Sequence, residues 1–319
     1  MYTNHRLFLR CLVAVALLVL ALTPRATAQT VIDLNNRSVR AKNLDDYRHD
    51  QGIDKRLTTD SLAYIDHLTR AFNALHTDSL DRAETLFLQA LKVRPDAPGN
   101  YVVRYNLGRI CLARDRYREA ISRFDETLRD HPTLAEARYD RAVCYYETGN
   151  YTAAQADCEA LLAASPDAAH EVQTRFLTAA LHTKTRQPDR ARRDLERILQ
   201  LEPDNESASL LLAGALEDLG QPQAALDRLN LFVSAHPESA DGLTARAELL
   251  CRLARPDAAR DDYAAALRLR PTDGTLYAGS AKAALASGDK AAARRDLEQA
   301  VRHGVPRGEL TPLFRQAAK

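Results

Sequence analysis

Asp45, Asp46, His49 and Asp50 set three carboxylates and an imidazole within six residues. Those are donor types that a divalent cation accepts. Residues 29–58 around them are polar, highly charged and without helical periodicity, so they read as a flexible leader. A flexible segment cannot preorganise ligands, so no more than weak metal binding is expected there. Cys111, Cys144, Cys158 and Cys251 offer thiol chemistry, but their spacing matches no metal motif. Each falls inside a predicted helix where a small apolar residue would serve, which points to buried, inert thiols. A Cys144–Cys158 or Cys111–Cys144 bridge is the alternative, because those helices should be neighbours. His131 and His236 each precede a proline and read as turn residues. No glycine-rich phosphate loop, paired-histidine metal helix or nucleophile elbow is present. The expectation is a chain with no catalytic residues, no metal and no cofactor, hence not an enzyme.

The first 28 residues are a separate element. His5, Arg6 and Arg10 precede an apolar run from Cys11 to Leu22, and Pro24 and the small residues Ala26 and Ala28 follow. This is the pattern of a cleaved secretory signal. Twelve residues span about 18 Å as helix, well short of a bilayer core of about 30 Å. Beyond residue 28 the chain carries 41 basic and 43 acidic side chains, a net of −2. Such a balance gives no electrostatic footprint for nucleic acid and no polybasic membrane anchor.

What must position any binding residues is a repeat. Prolines recur at 95, 132, 166, 203, 237, 271 and 306, at intervals of 37, 34, 37, 34, 34 and 35. Twelve residues before the first six stand Ala83, Ala120, Ala154, Ala191, Ala225 and Ala259, and Ala293 precedes the last by thirteen. Four residues after each alanine comes Phe87, Phe124, Cys158, Leu195, Leu229, Tyr263 or Leu297. Residues four apart share one helix face, so the alanine admits a neighbouring helix and the larger group fills the groove beside it. The proline ends that helix. Thr133, Asp167, Asp204 and Ser239 are placed to cap the next one. Gly149, Gly220 and Gly288 mark left-handed turns between the two helices of a unit. Two joins carry three extra residues, around Pro98-Gly99-Asn100 and Ala169-His170-Glu171; these either lengthen a helix or loosen a contact. Pairs such as Arg193-Asp194 and Arg295-Asp296, with Arg192/Glu196 and Arg294/Glu298 four apart, read as a solvated outer surface.

With these marks the chain resembles the tetratricopeptide repeat family over about residues 64–307. Ala83, Phe87, Ala90, Leu91 and Pro95 carry the second-helix pattern, and Tyr105-Asn106-Leu107-Gly108 the first-helix pattern, with Arg104 where the family favours tryptophan. Small residues recur at the first-helix contact point as Ala71, Gly108, Ala142, Ala179, Ala213, Ala247 and Ala281. The first unit is the poorest match, with His67 and Arg70 where apolar residues are expected. The resemblance implies an all-α, right-handed α-solenoid of about seven tetratricopeptide-type helix-turn-helix repeats with a C-terminal capping segment. The expected organisation is a signal peptide at 1–28 and a leader at 29–63. Repeats follow at 64–97, 101–134, 135–168, 172–205, 206–239, 240–273 and 274–307, and a cap at 308–319.

The resemblance also implies that first helices line a concave, ligand-holding face. That places Tyr105, Asn106 and Arg109, then Tyr139, Asp140 and Tyr146, then Phe176 in a peptide-binding groove, with Leu210, Gly214, Thr244, Glu248 and Lys282 further along. Aromatic side chains with polar tips suit peptide recognition. Chaperone-binding members clamp a carboxylate terminus with basic groove residues. Glu136 and Asp140 stand where those would be needed, which argues against that version. The expected role is a protein- or peptide-binding scaffold or adaptor of exported bacterial type, most simply periplasmic, with an extracellular or membrane-associated place as the alternatives, no nucleic-acid partner and no stable membrane insertion after signal cleavage. Self-association or structural assembly through the convex face or helix ends is the alternative.

Overall fold

A computed structural model describes residues 59–77, 79–164 and 166–318. The expected signal, the leader up to residue 58 and the Asp45–Asp50 cluster lie outside the described residues. Among the described residues the chain is all-α, with fifteen helices. They form two compact units.

The first unit comprises the described residues up to 116, with 129–132. It holds α1 (Thr59–His76), α2 (Leu80–Val93) and α3 (Asn100–Ala113). Helix α1 begins inside the segment expected to be leader. Ala71, Ala83, Phe87, Val103 and Leu107 make its core. Of the first join, Pro98 and Gly99 form a turn and Asn100 opens α3, its buried side chain closing that turn. Asn100 Nδ2 donates to the carbonyls of Arg94 at 2.8 Å and Pro95 at 2.7 Å, while Tyr64 Oη donates to its Oδ1 at 2.9 Å.

The second unit contains residues 117–128 of α4 (Tyr117–Asp130) and eleven further helices. These are α5 (Ala135–Glu147), α6 (Tyr151–Ala163), α7 (Ala168–Lys184), α8 (Pro188–Leu201), α9 (Glu206–Asp218), α10 (Pro222–Ala235), α11 (Ala240–Arg252), α12 (Pro256–Leu269), α13 (Gly274–Ala286), α14 (Lys290–Arg302) and α15 (Arg307–Ala318). It is a solenoid: α5/α6, α7/α8, α9/α10, α11/α12 and α13/α14 pair as hairpins, and each hairpin packs on its sequence neighbours. The second join lengthens a helix, since α7 has 17 residues where α5, α9, α11 and α13 have 13.

All seven repeat alanines are fully buried, and the residues four places on are at most 4% exposed. Each hairpin turn of the second unit has one left-handed residue. Gly149, Gly220 and Gly288 take it at φ 78°, 72° and 84°, and Arg186 and Ala254 at φ 56° and 55°; Asp115, after α3, also lies there, at φ 56°. Asp167 and Ser239 cap α7 and α11 as expected, accepting from the His170 and Gly242 amides. Two expected caps are displaced by one residue. Helix α9 starts at Glu206, so Asn205, not Asp204, accepts from the Ala208 amide at 2.9 Å. Helix α5 starts at Ala135, so Leu134 occupies the cap slot, not Thr133. Three second helices open with a proline, α8, α10 and α12, where no amide donor is required.

The last hairpin is covered by α15, which buries Leu310 and Ala317 against it. Arg294 Nε donates to the Ala317 carbonyl at 3.0 Å, and the Arg307 guanidinium lies 4.4 Å from the Phe314 ring centroid. The four helical cysteines are free thiols. Burial pushes the Cys158 thiol up to about 12, so it is not a nucleophile at neutral pH.

Glu171 ties α7 to α8. Arg197 Nε and Arg175 Nε each donate to its Oε1 at 2.8 Å. These bonds, Arg197 first, hold its carboxyl down from 4.5 to about 2. A depressed folded-state value means that the stabilisation is complete above the unfolded value and lost as pH falls through the folded one. Glu171→Gln is therefore expected to lower the urea midpoint at pH 7, with the deficit shrinking between pH 4.5 and about 2. A deficit independent of pH would show that the charge is not what counts.

Candidate functional site

Tyr105, Asn106 and Arg109 stand on α3 in the first unit, and Tyr139, Asp140, Tyr146 and Phe176 on α5 and α7 in the second. Tyr105 and Asn106 are buried, and the Asn106 amide donates to the Val102 carbonyl of its own helix at 2.8 Å. Arg109 is half-buried.

In the second unit α5 and α7 touch directly. Tyr139 bridges them through a side-chain hydrogen bond with Gln173, and burial raises the pKa of its phenol. Asp140, half-buried beside it, raises it further. The Tyr146 ring is buried 5.9 Å from the Tyr151 ring, and its hydroxyl has no hydrogen-bond partner. Phe176 is half-buried, its inner side against the core. Leu210 and Gly214 follow on α9, both half-buried, and an added Cβ at Gly214 would meet nothing within 4 Å.

Further along the second unit, Glu217 on α9, Glu248 and Arg252 on α11, Tyr263 on α12 and Lys282 on α13 are electrostatic neighbours. Glu248 on α11 is exposed, yet burial is the largest influence on its carboxyl and raises its pKa. Arg252 donates to Glu217 across α11 and α9, Nε to Oε2 and Nη2 to Oε1, both at 2.7 Å. Tyr263 arrives from α12. Its residue is 4% exposed, and its ring runs against Gly279 of α13, where a Cβ would lie 2.5 Å from Cε1 and 2.7 Å from Oη. The sequence pattern marks Tyr263 only as a bulky core residue. The available signal was that it alone, among the seven residues four past an alanine, ends in a hydroxyl.

A row of inward-turned acids, three buried and the last half-buried, is the second feature that the pattern hid. Asp157, Asp194, Asp262 and Asp296 each stand three residues past a repeat alanine. Arg141 grips Asp157 with Nε to Oδ2 at 2.8 Å and Nη2 to Oδ1 at 2.6 Å, and Arg246 grips Asp262 with the same atoms and distances. Asp194 accepts from Arg175 at 3.0 Å and pairs with His182 at 3.0 Å, and Asp296 accepts from Ser280 at 2.7 Å. The reading of Arg193-Asp194 and Arg295-Asp296 as outer surface is therefore corrected for the two acids. Three residues is close to one helical turn, which brings the acid round toward the side that the alanine buries. Of the two surface pairs, Arg192–Glu196 forms at 2.7 Å, while Arg294 turns to α15 and Glu298 to Arg307.

A cleft of about 270 Å³ is lined by Leu226, Asn230, Arg246, Leu250, Arg255, Ala258, Asp261 and Asp262. The Arg246 guanidinium in it is spent on Asp262 and Asn230. Among the described residues no group of three or more histidine, cysteine or acidic side chains is placed to hold a metal. No described helix is long and apolar enough to cross a membrane.

Family models for the tetratricopeptide repeat match residues 105–169 and 183–249. No curated protein matches the chain. The chain is similar to a tetratricopeptide repeat protein from Parabacteroides merdae ATCC 43184, with 21% identity and a TM-score of 0.61 over 81% of this chain and all of that one. It is similar also to Pseudomonas aeruginosa PilF, with 18% identity and a TM-score of 0.50 over 67% of this chain and 95% of that one. At such identities the likeness is one of fold. The helical hairpins, their alanine–bulky–proline register and the two family matches agree, and this chain is a tetratricopeptide repeat protein.

Proposed function

We propose that this protein is a scaffold of the cell envelope that holds a protein or peptide against the first-helix face of its second unit. Protein–protein interaction is the general role of its repeats. The observation that carries the finer reading is the run of half-buried residues Tyr139, Val143, Phe176, Ala180, Leu210 and Gly214 along three successive first helices. These groups give up part of their surface to the core and keep part for a ligand. Aromatic groups of this kind bury a large area at low cost in side-chain entropy. The envelope part rests on the signal-like pattern of residues 1–28 alone.

Tyr139→Ala together with Phe176→Ala is the direct test. Affinity capture from an envelope extract, compared with wild type, should lose at least about tenfold of the specifically retained partner. Circular dichroism of the variant should remain helical. A well-folded double variant that captures the same partner equally well would sink the groove reading.

A further inference from the structure

The cleft that α10, α11 and α12 line has an apolar part and two charges left over. Leu226 and Leu250 in it are 2% and 4% exposed, and the Arg246 fork neutralises Asp262. Arg255 and Asp261 line the same cleft, and both are exposed. No hydrogen bond or ion pair among the described residues holds either side chain. They stand six residues apart at the start of α12, about 9 Å along a helix axis. Ala258, half-buried in the cleft, is midway between them. The helix beside α12 is poor in charge. Helix α8 carries seven charged side chains, whereas α10 carries only Asp227 and Arg228, already hydrogen-bonded to Gln223 and Ser209. Leu231 on α10, one residue past Asn230 of the cleft, is 62% exposed. Apolar surface with opposite charges beside it is the make-up of a protein interface. Here the two charges are also each other's complement.

We infer that a second copy of this chain docks here, through a two-fold contact between the α12 helices of the two copies. Antiparallel pairing centred on Ala258 sets Arg255 of each copy against Asp261 of the other, because both lie three residues from that centre. The small side chain of Ala258 lets the two helix axes approach. Leu231 supplies apolar area beside the contact. The face is separate from the first-helix groove, so the scaffold reading does not depend on it. Two helices of 14 residues, each about 21 Å long, make a small face, so the dimer is reversible and forms in the micromolar range.

Sedimentation equilibrium of the purified full chain from about 1 to 100 µM is the experiment. The mass should rise from one chain toward two and no further, and added salt should weaken the rise. Arg255→Asp and Asp261→Arg each turn both ion pairs into like-charge contacts, and each should weaken association at least about tenfold. Neither should lower the thermal midpoint, since Arg255 is the N-cap of α12, where aspartate is favoured, and Asp261 is exposed. An equal mixture of the two variants should recover the dimer, because every charge then meets its opposite across the contact. The chain that carries both substitutions should dimerise like wild type for the same reason. A chain that stays monomeric at every concentration would leave the cleft to a different partner and overturn the proposal. A dimer that neither reversal weakens, a mixture that stays monomeric, or masses well above two chains would overturn it as well.

Discussion

Arg141→Ala should destabilise the second unit by about 3–5 kcal/mol, read as a fall in the urea midpoint. Arg141 has an 18% exposed side chain and lies across three contacts: two hydrogen bonds to Asp157 and one to Asp125 at 2.6 Å. The asymmetry of its partners decides the size of the effect. Asp125 is 44% exposed and can fall back on water, whereas Asp157 is 6% exposed and keeps only Arg138, at 3.5 Å. Orphaning a buried carboxylate costs far more than the pair gains when intact. The same reasoning gives a contrasting control. Arg141→Met with Asp157→Leu removes both charges and should recover most of the loss. If the single variant stays within about 1 kcal/mol of wild type, in the range of exposed pairs, the row of acids is a surface feature after all.

Gly279→Ala should cost about 1–3 kcal/mol, a large effect for one methyl group. The new Cβ would lie 2.5, 2.6 and 2.7 Å from Cε1, Cζ and Oη of Tyr263, and a ring packed between helices has little room to retreat. In a Tyr263→Leu background the same substitution should cost much less, because leucine already fills this place at residues 195, 229 and 297. A coupling of at least 0.5 kcal/mol in the double-mutant cycle is expected. Strict additivity would show that the helices simply move apart, and that the ring is not fixed against Gly279.

The repeat was legible because its marks are steric. Ala83, Ala120 and Ala154 must be small for helices to approach, and Phe87 and Phe124 must be large to fill what lies between; type and spacing reveal both. The acids were not legible in the same way. Asp194 follows Arg193, and alternating charges are the usual mark of a solvated face, so only the helical angle separates a buried acid from an exposed one. Glu248 and Lys282 were placed on the inner face from the family pattern alone. Asp204 against Asn205 shows the limit at helix ends, where two adjacent residues could both cap and one residue of register decides.

Each hairpin of the second unit packs on its sequence neighbours and on little else. Such an object has no single keystone. A block of about one period can be spliced in or dropped out, and only the junction on either side has to be rebuilt. Surface chemistry can then be edited like beads on a string: the sixth and seventh hairpins can drift while the aromatic stretch in the third and fourth stays as it is. The number of hairpins becomes the measure of how long a face the repeats can present.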